Sequence, residues 1–270
     1  MEGLTLFVKD VKSKGELSEL DDLFVQKICS EIFKEYPEKY EVLVKNNWNK
    51  KSKVYKFFFK EVRKKLRIIF GAFTLKTLKE KTKKNILDGK KDNEFFLSHH
   101  SSSNERLEIY DDFYEVIKDE KSVLDLGCGY NPFSYRKGKK YLASDINKDD
   151  LKLFEGYFKA IGIDGSCEYL DLTDKKCLDK LEILSKDFDV TLMLKLVDTL
   201  ESIERNITLK LLQKLQSKKI ILSFPLMSLG GKKQIKSKRI WLDRFIESVG
   251  FHRKDLTIGN ELFVILERYT

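Results

Sequence analysis

Val123-Leu124-Asp125-Leu126-Gly127-Cys128-Gly129-Tyr130-Asn131-Pro132-Phe133 is an apolar run that ends in a carboxylate and enters a Gly-x-Gly turn. About fifteen residues on, Tyr141-Leu142-Ala143-Ser144-Asp145 is a second apolar run with an acid at its carboxyl end. Both read as short buried strands bounded by turns. Glycines in such a turn let the backbone come close to a ligand, and the acid after the second strand is placed to accept from ribose hydroxyls. Pro132 stands where the dinucleotide fingerprint would continue toward a third Gly. The spacing therefore suits a nucleoside ligand other than a dinucleotide.

Outward from this stretch, strands and helices alternate to residue 267. Strands are expected at 122–125, 140–144, 167–170, 189–194, 219–224, 254–258 and 262–267, and helices at 148–161, 175–185, 204–216 and 237–248. That is a doubly wound, mostly parallel α/β sheet ending in an antiparallel hairpin, whose turn is Gly259-Asn260. Upstream, only helical periodicity is seen. Leu17, Leu20, Leu23, Phe24, Ile28 and Ile32 mark one helix, and Tyr40, Val42, Leu43 and Val44 a second. Val54, Phe58, Val62, Leu66, Ile69, Phe70 and Phe73 give a third one apolar face.

The 270 residues suffice for one large domain or two modest ones. With 41% apolar and 35% charged residues, the composition is that of a globular chain. No apolar run is long enough for a membrane span, and Met1 to Asp10 does not read as a signal peptide. Cys29, Cys128, Cys167 and Cys177 form no Cys-x-x-Cys pair. Neither a zinc site nor a disulfide framework is expected, and reduced thiols place the chain in the cytoplasm.

The net charge of +9 is unevenly spread: residues 45–91 hold 17 Lys and Arg against 3 Asp and Glu, while residues 1–44 hold 6 against 10. Lys53, Lys56, Lys60, Arg63, Lys64 and Arg67 are expected on the outer face of the third helix, where they can track phosphates or simply be solvated. A second basic stretch, Lys232, Lys233, Lys236, Lys238 and Arg239, follows Ser223-Phe224-Pro225 at the end of the fifth strand. A phosphate backbone near the reacting centre suits it.

Ligands of doubly wound sheets lie beyond the carboxyl ends of the strands. Asp125, Asp145 and Asp171 follow the first three strands, 20 and 26 residues apart. Asp171 is placed to accept from an adenine amino group, with Leu172 on the ring. His99-His100-Ser101-Ser102-Ser103-Asn104-Glu105-Arg106-Leu107 opens the next helix. It reads either as a Ser102 or Ser103 cap completed by Glu105, or as a site in which Arg106 grips a ligand carboxylate. Cys128 has no base near it in sequence and reads as packing. Phe224, Met227 and Trp241 read equally as core or as stacking surfaces for a base.

Strand-Asp-x-Gly-x-Gly followed by strand-Asp resembles the S-adenosylmethionine (SAM) methyltransferases. His100-x-Ser102-x-x-Glu105-Arg106-Leu107, Leu124-Asp125-x-x-Cys128-Gly129-x-Asn131-Pro132, Leu194-Lys195-Leu196 with Leu200-Glu201, Ser223-Phe224-Pro225-x-x-Ser228-Leu229-Gly230-Gly231-Lys232, and Asn260-Glu261-Leu262-Phe263 are together similar to the Arm/Rmt-type aminoglycoside-resistance 16S rRNA methyltransferases. The resemblance covers residues 95–270 by motif and the helical part by organisation. It implies a Rossmann-like SAM-dependent methyltransferase with a seven-stranded, mostly parallel sheet, in residues 101–270. It also implies a helical, basic RNA-binding domain before it, in residues 1–100. The implied reaction is methylation of N7 of one guanine in the decoding-site helix of 16S rRNA within the 30S subunit, by a monomer needing no metal. It further implies Phe73, His100, Ser101, Ser102, Arg106, Asp125, Gly127, Gly129, Asp145, Ile146, Asp171, Leu172, Lys195 and Leu196 around the cofactor. Lys60, Arg63, Lys64, Arg67, Lys232, Lys233, Lys236 and Arg239 fall to rRNA. The alternatives are another RNA base, such as adenine N1 of 16S rRNA or a tRNA base, and a non-catalytic RNA-binding module.

Overall fold

The computed structural model describes residues 2–13, 15–70, 76–88, 93–135, 138–227, 234, 239 and 241–269. Four helices come first: α1 (Glu2–Val11), α2 (Asp22–Glu35), α3 (Pro37–Lys45) and α4 (Lys53–Phe70). Leu17 lies in a 3-10 turn, and α2 starts only at Asp22 because Asp21 accepts from the Leu23 and Phe24 amides. The expected single helix from Leu17 is therefore cut short, and Leu23 in its first turn is 74% exposed. Aromatic rings fill the space between these helices. Phe33 stacks on Tyr40 at 4.6 Å, and Phe7 meets Tyr55 edge-on at 5.0 Å. Such pairs add about 0.5–1.5 kcal/mol beyond area burial.

Helices α5 (Lys76–Leu87), α6 (Asn93–Ser98), α7 (Ser101–Asn104) and α8 (Tyr110–Val116) lead into the sheet. Ile86, Phe96 and Leu97 already pack in the core on one face of that sheet. The strands are β1 (Ser122–Leu126), β2 (Lys140–Asp145), β3 (Gly165–Tyr169), β4 (Val190–Leu194), β5 (Lys219–Pro225), β6 (Phe251–Ile258) and β7 (Glu261–Arg268). Their order is β3-β2-β1-β4-β5-β7-β6, with β1 to β5 parallel and β7 antiparallel between β5 and β6. Strands β1 and β4 are buried along their whole length, as central parallel strands must be. Helix α9 (Lys148–Ile161) covers one face; α10 (Lys175–Leu184), α11 (Val197–Ile203), α12 (Ile207–Lys214) and α13 (Trp241–Val249) cover the other.

The alternation was legible in the sequence, with local differences. The helix expected over 204–216 is α12, which starts only at Ile207, and the short α11 before it was not expected. Glu201 accepts from the Asn206 and Thr208 amides at 2.9 and 2.8 Å, which ends α11 and caps α12 around a left-handed Asn206 (φ 64°). Strand β6 begins at Phe251 because that residue already pairs with Arg268. The order reverses at β1, so β2 and β4 leave a crevice at the carboxyl end of β1, where ligands of this architecture bind.

Candidate active site: a cofactor cleft at the strand switch

The crevice is a cavity of about 180 Å³ whose floor is the turn after β1. Gly127 and Gly129 have φ of 60° and 50°. A Cβ on Gly129 would stand 3.0 Å from His100 Cε1, and one on Gly127 would stand 2.8 Å from Leu196. Only glycine keeps this floor both unstrained and open to a ligand.

Asp145 stands at the rim. Its Oδ2 accepts from the Gly129 amide at 3.2 Å and its Oδ1 from the Asn147 amide at 3.0 Å. These two amides orient the carboxylate at the edge of the cleft, where a ribose diol would lie. Ile146, Leu172 and Leu196 supply apolar wall between the polar groups.

The other end of the cleft is a buried ion network. Arg106, 3% exposed, donates through Nε to both oxygens of Glu261 at 2.9 and 3.0 Å. Glu261 also accepts from Ser223 Oγ, and its Oε2 lies 3.4 Å from Lys195 Nζ. Lys195 bonds Glu105 at 2.6 Å, and its own amide donates to Ser223 Oγ at 2.9 Å from a left-handed backbone (φ 54°). Burial opposes the charge on Glu261, but Arg106 and the donors around it hold its pKa below the ordinary carboxylate value. His100 lies beside this network, its ring stacked on Tyr130 at 5.2 Å. Burial, reinforced by the Arg106 and Lys195 charges, pulls its pKa down to about 3 and keeps the imidazole neutral.

Most of the expected cofactor residues converge here: His100, Ser102, Arg106, Gly127, Gly129, Asp145, Ile146, Asp171, Leu172, Lys195 and Leu196 all line the cleft. Several roles need correction. Asp125 does not face the ligand. It is buried beneath the turn, where Asn131 Nδ2 and Tyr141 Oη donate to it at 2.9 and 2.5 Å, and burial pushes its pKa up to about 6. It supports the glycine turn rather than touching what the turn holds. Ser101 is not among the lining residues. The serine-cap reading fails too: α7 has no side-chain cap, and Glu105 reaches Lys195 rather than a backbone amide. Arg106 spends one edge of its guanidinium on Glu261, so only the remaining edge is left for a ligand carboxylate.

Asp171 already has partners within the chain. Its Oδ1 takes the Thr173 amide and hydroxyl at 2.9 and 2.6 Å, and its Oδ2 takes Lys27 Nζ at 3.0 Å. Of the expected phosphate contacts, Lys60, Lys64 and Arg67 are exposed on α4. Arg63 is buried at 4% exposure with its guanidinium 5.1 Å from the Phe59 ring, so it cannot meet phosphate. Arg239 bonds Asp198 at 2.6 Å and lies 4.9 Å from the Phe224 ring, which removes it from that role. Phe224 is itself core. Phe73, Lys232, Lys233 and Lys236 lie outside the described residues.

The sequence reading missed two groups. Asn147 and Asp150, just after β2, line the rim; the Asn-x-x-Asp cap following Asp145 was a usable signal. Glu19, before α2, and Phe24 and Ile69, on α2 and α4, line it from the N-terminal part, more than 50 residues from the nearest sheet motif, with no local signal.

Sheet order, glycine floor and rim acid together define a SAM-dependent methyltransferase. Residues 91–265 match the family described as ribosomal RNA methyltransferase (FmrO), and the chain belongs to that family. A relative from Proteus mirabilis, named 16S rRNA (guanine(1405)-N(7))-methyltransferase, is 27% identical over 300 residues, covering 97% of this chain and 98% of its own. A protein of the same name from Serratia marcescens is 28% identical over 179 residues, 64% of this chain and 68% of its own. The crystal structure of the 16S rRNA methyltransferase RmtF with S-adenosyl-L-homocysteine has the same fold: TM-score 0.76 at 22% identity, with 100% of this chain and 99% of that one covered. No helix among the described residues is long and apolar enough to cross a membrane.

Proposed function

We propose that this enzyme methylates N7 of a guanine in the decoding-site helix of 16S rRNA, as a monomer acting on the assembled 30S subunit in the cytoplasm. SAM supplies a methyl group on a sulfonium, which becomes a neutral thioether on transfer. Asp145 would hold its ribose, the Gly127–Gly129 floor would admit the methionine portion, and the outer edge of Arg106 would take its carboxylate. The basic face of α4, through Lys60, Lys64 and Arg67, docks on rRNA phosphates, and the basic stretch with Lys232, Lys233 and Lys236 adds charge to the same role. On this reading residues 1–100 serve as the RNA-binding domain and 101–270 as the methyltransferase domain.

The observation that carries the reading is Lys195. It lines the cleft at the carboxyl end of β4 and is ion-paired with Glu105 and Glu261. Held between these two carboxylates, it is not placed to serve as a base for the substrate. Guanine N7 has an in-plane lone pair and no proton, so its alkylation requires no base, unlike that of an exocyclic amine. The chain's task is alignment of nucleophile, methyl and sulfonium at near-attack distance. The target guanine is flipped out of its helix to reach the cleft. The relative from Proteus mirabilis, matched end to end, supports the same base and atom.

The test is methylation of 30S subunits and of naked 16S rRNA in parallel. Borohydride–aniline cleavage should locate a 7-methylguanine in the decoding region of the 30S sample alone. A primer-extension stop at an adenine, without an aniline-sensitive guanine, would move the target to a Watson–Crick face. N7 alkylation fixes a positive charge where cationic aminoglycosides dock, so cells expressing the enzyme should resist the 4,6-disubstituted ones.

A further inference from the structure

Helix α2 belongs by sequence to the basic N-terminal part, yet one face of it is turned into the cofactor cleft. Phe24 lines the cavity, and Lys27, three residues on and hence on the same face, bonds both Asp171 Oδ2 (3.0 Å) and Thr173 Oγ1 (2.5 Å). Two neighbouring contacts cross the same seam. Lys148 reaches Asp21 at 2.6 Å, and Asn147 Nδ2 lies 3.5 Å from Glu19 Oε2. Ile146, the residue after the ribose acid, packs into the aromatic cluster of the N-terminal helices. The rim is acidic, with Glu19, Asp145, Asp150 and Asp171 around it. Lys27 is the cation that reaches Asp171 within hydrogen-bonding distance.

We propose that α2 is a working wall of the cofactor site, with Lys27 as the positioning residue for Asp171 and Phe24 as the apolar surface over the adenosine end. Asp171 has three donors on it from the chain itself, and two of them are fixed by the Thr173 backbone and hydroxyl. The third, Lys27, sets which way the remaining lone pair of Oδ2 points, and ties the loop after β3 to α2. An adenine amino group then meets an oriented acceptor in a cleft already closed on that side. The geometry assigns this role to a helix of the N-terminal part, which would otherwise serve only rRNA. The inference rests on the cofactor placement proposed above.

Calorimetry on the full chain, with S-adenosylhomocysteine and with 5′-methylthioadenosine as probes, tests it. The second probe keeps the adenosine and lacks the carboxylate. Lys27→Met should raise Kd for both by the same factor, about tenfold, and Lys27→Arg should recover most of it. Arg106→Lys should weaken the first probe and leave the second unchanged. In a cycle with Asp171→Asn, the effects of Lys27→Met and Asp171→Asn should be non-additive, because one acts through the other. A Lys27→Met protein that melts earlier but binds both probes as the parent does overturns the proposal, as does strict additivity. Should Lys27→Met fail to fold, Lys27→Gln and Phe24→Leu are read the same way, with unchanged Kd again overturning it. A parent chain that binds neither probe would instead refute the cofactor placement itself.

Discussion

The two ends of the cofactor cleft are built on different principles. At the Arg106 end, Arg106, Ser223 and Glu261 are buried, with Lys195 at the margin, and are paired although far apart in sequence. At the Asp171 end, charges are half-exposed and paired across the seam with the N-terminal helices: Lys27 with Asp171, Lys148 with Asp21. The first end is costly to disturb because each ion has lost its water. The second is cheap to disturb and therefore able to respond to what binds on α2 and α4. The same chemical pairing, cation to carboxylate, serves as foundation in one place and as an adjustable contact in the other.

The largest effect should come from removing the centre of the buried network. Glu261→Ala leaves Arg106 uncompensated and Lys195 with one partner fewer. It should destabilise the fold by about 3–5 kcal/mol, read from urea unfolding. A loss no greater than that of an exposed pair would erase the contrast between the two ends.

Next is Asp145→Ala, which should weaken S-adenosylhomocysteine by about 1–3 kcal/mol with little change in melting temperature. Retained affinity in calorimetry would remove Asp145 from the ribose.

The buried end should also carry a pH signature of its own. The unfolded chain protonates His100 below about 6.5, whereas the folded chain resists until about 3. This contribution is therefore complete above pH 6.5 and is lost as pH falls from there toward 3, by up to about 1.4 kcal/mol per pH unit. His100→Gln should flatten that slope between pH 6.5 and 4 in parallel urea titrations; identical slopes would mean the imidazole is solvated.

Smallest is the surface pair. Lys148→Ala should change stability by less than about 1 kcal/mol, and high salt should erase even that. On α4, the double change Lys60→Ala and Lys64→Ala should lower the salt slope of 30S binding by about 1.8, near 0.9 per phosphate contact if the B-DNA slope carries over to rRNA. Stability and cofactor affinity should stay as they were. An unaltered slope would return that face to plain solvation.

The legibility of the sequence follows the same divide. Strand-turn motifs such as Val123–Gly129 and Tyr141–Asp145 are local, and they located the sheet, the crevice and the rim acid. What was missed depends on contacts between distant segments. Nothing around Lys27 signals Asp171, 144 residues away. Arg63 carries the charge of its neighbours, yet it sits next to Val62 on the inward side of α4 and packs on Phe59, which periodicity alone did not separate from a solvated face. Asp125 was placed correctly on its strand but given the wrong task, because a strand-end acid reads the same whether it points at a ligand or props up a turn. Only the Asn131 and Tyr141 donors distinguish the two.

The β6–β7 hairpin puts Glu261 155 residues after the arginine it neutralises. During synthesis, β1 to β5 and the glycine turn emerge well before that carboxylate does. Until it arrives, the place it will fill beside Arg106 has no anion, and the core between β5 and α8 has reason to stay open. Closing this end of the pocket therefore has to await β7. A chain stopped before β7 would be left with an arginine it cannot bury, making it a target for proteolysis rather than a weakly active enzyme.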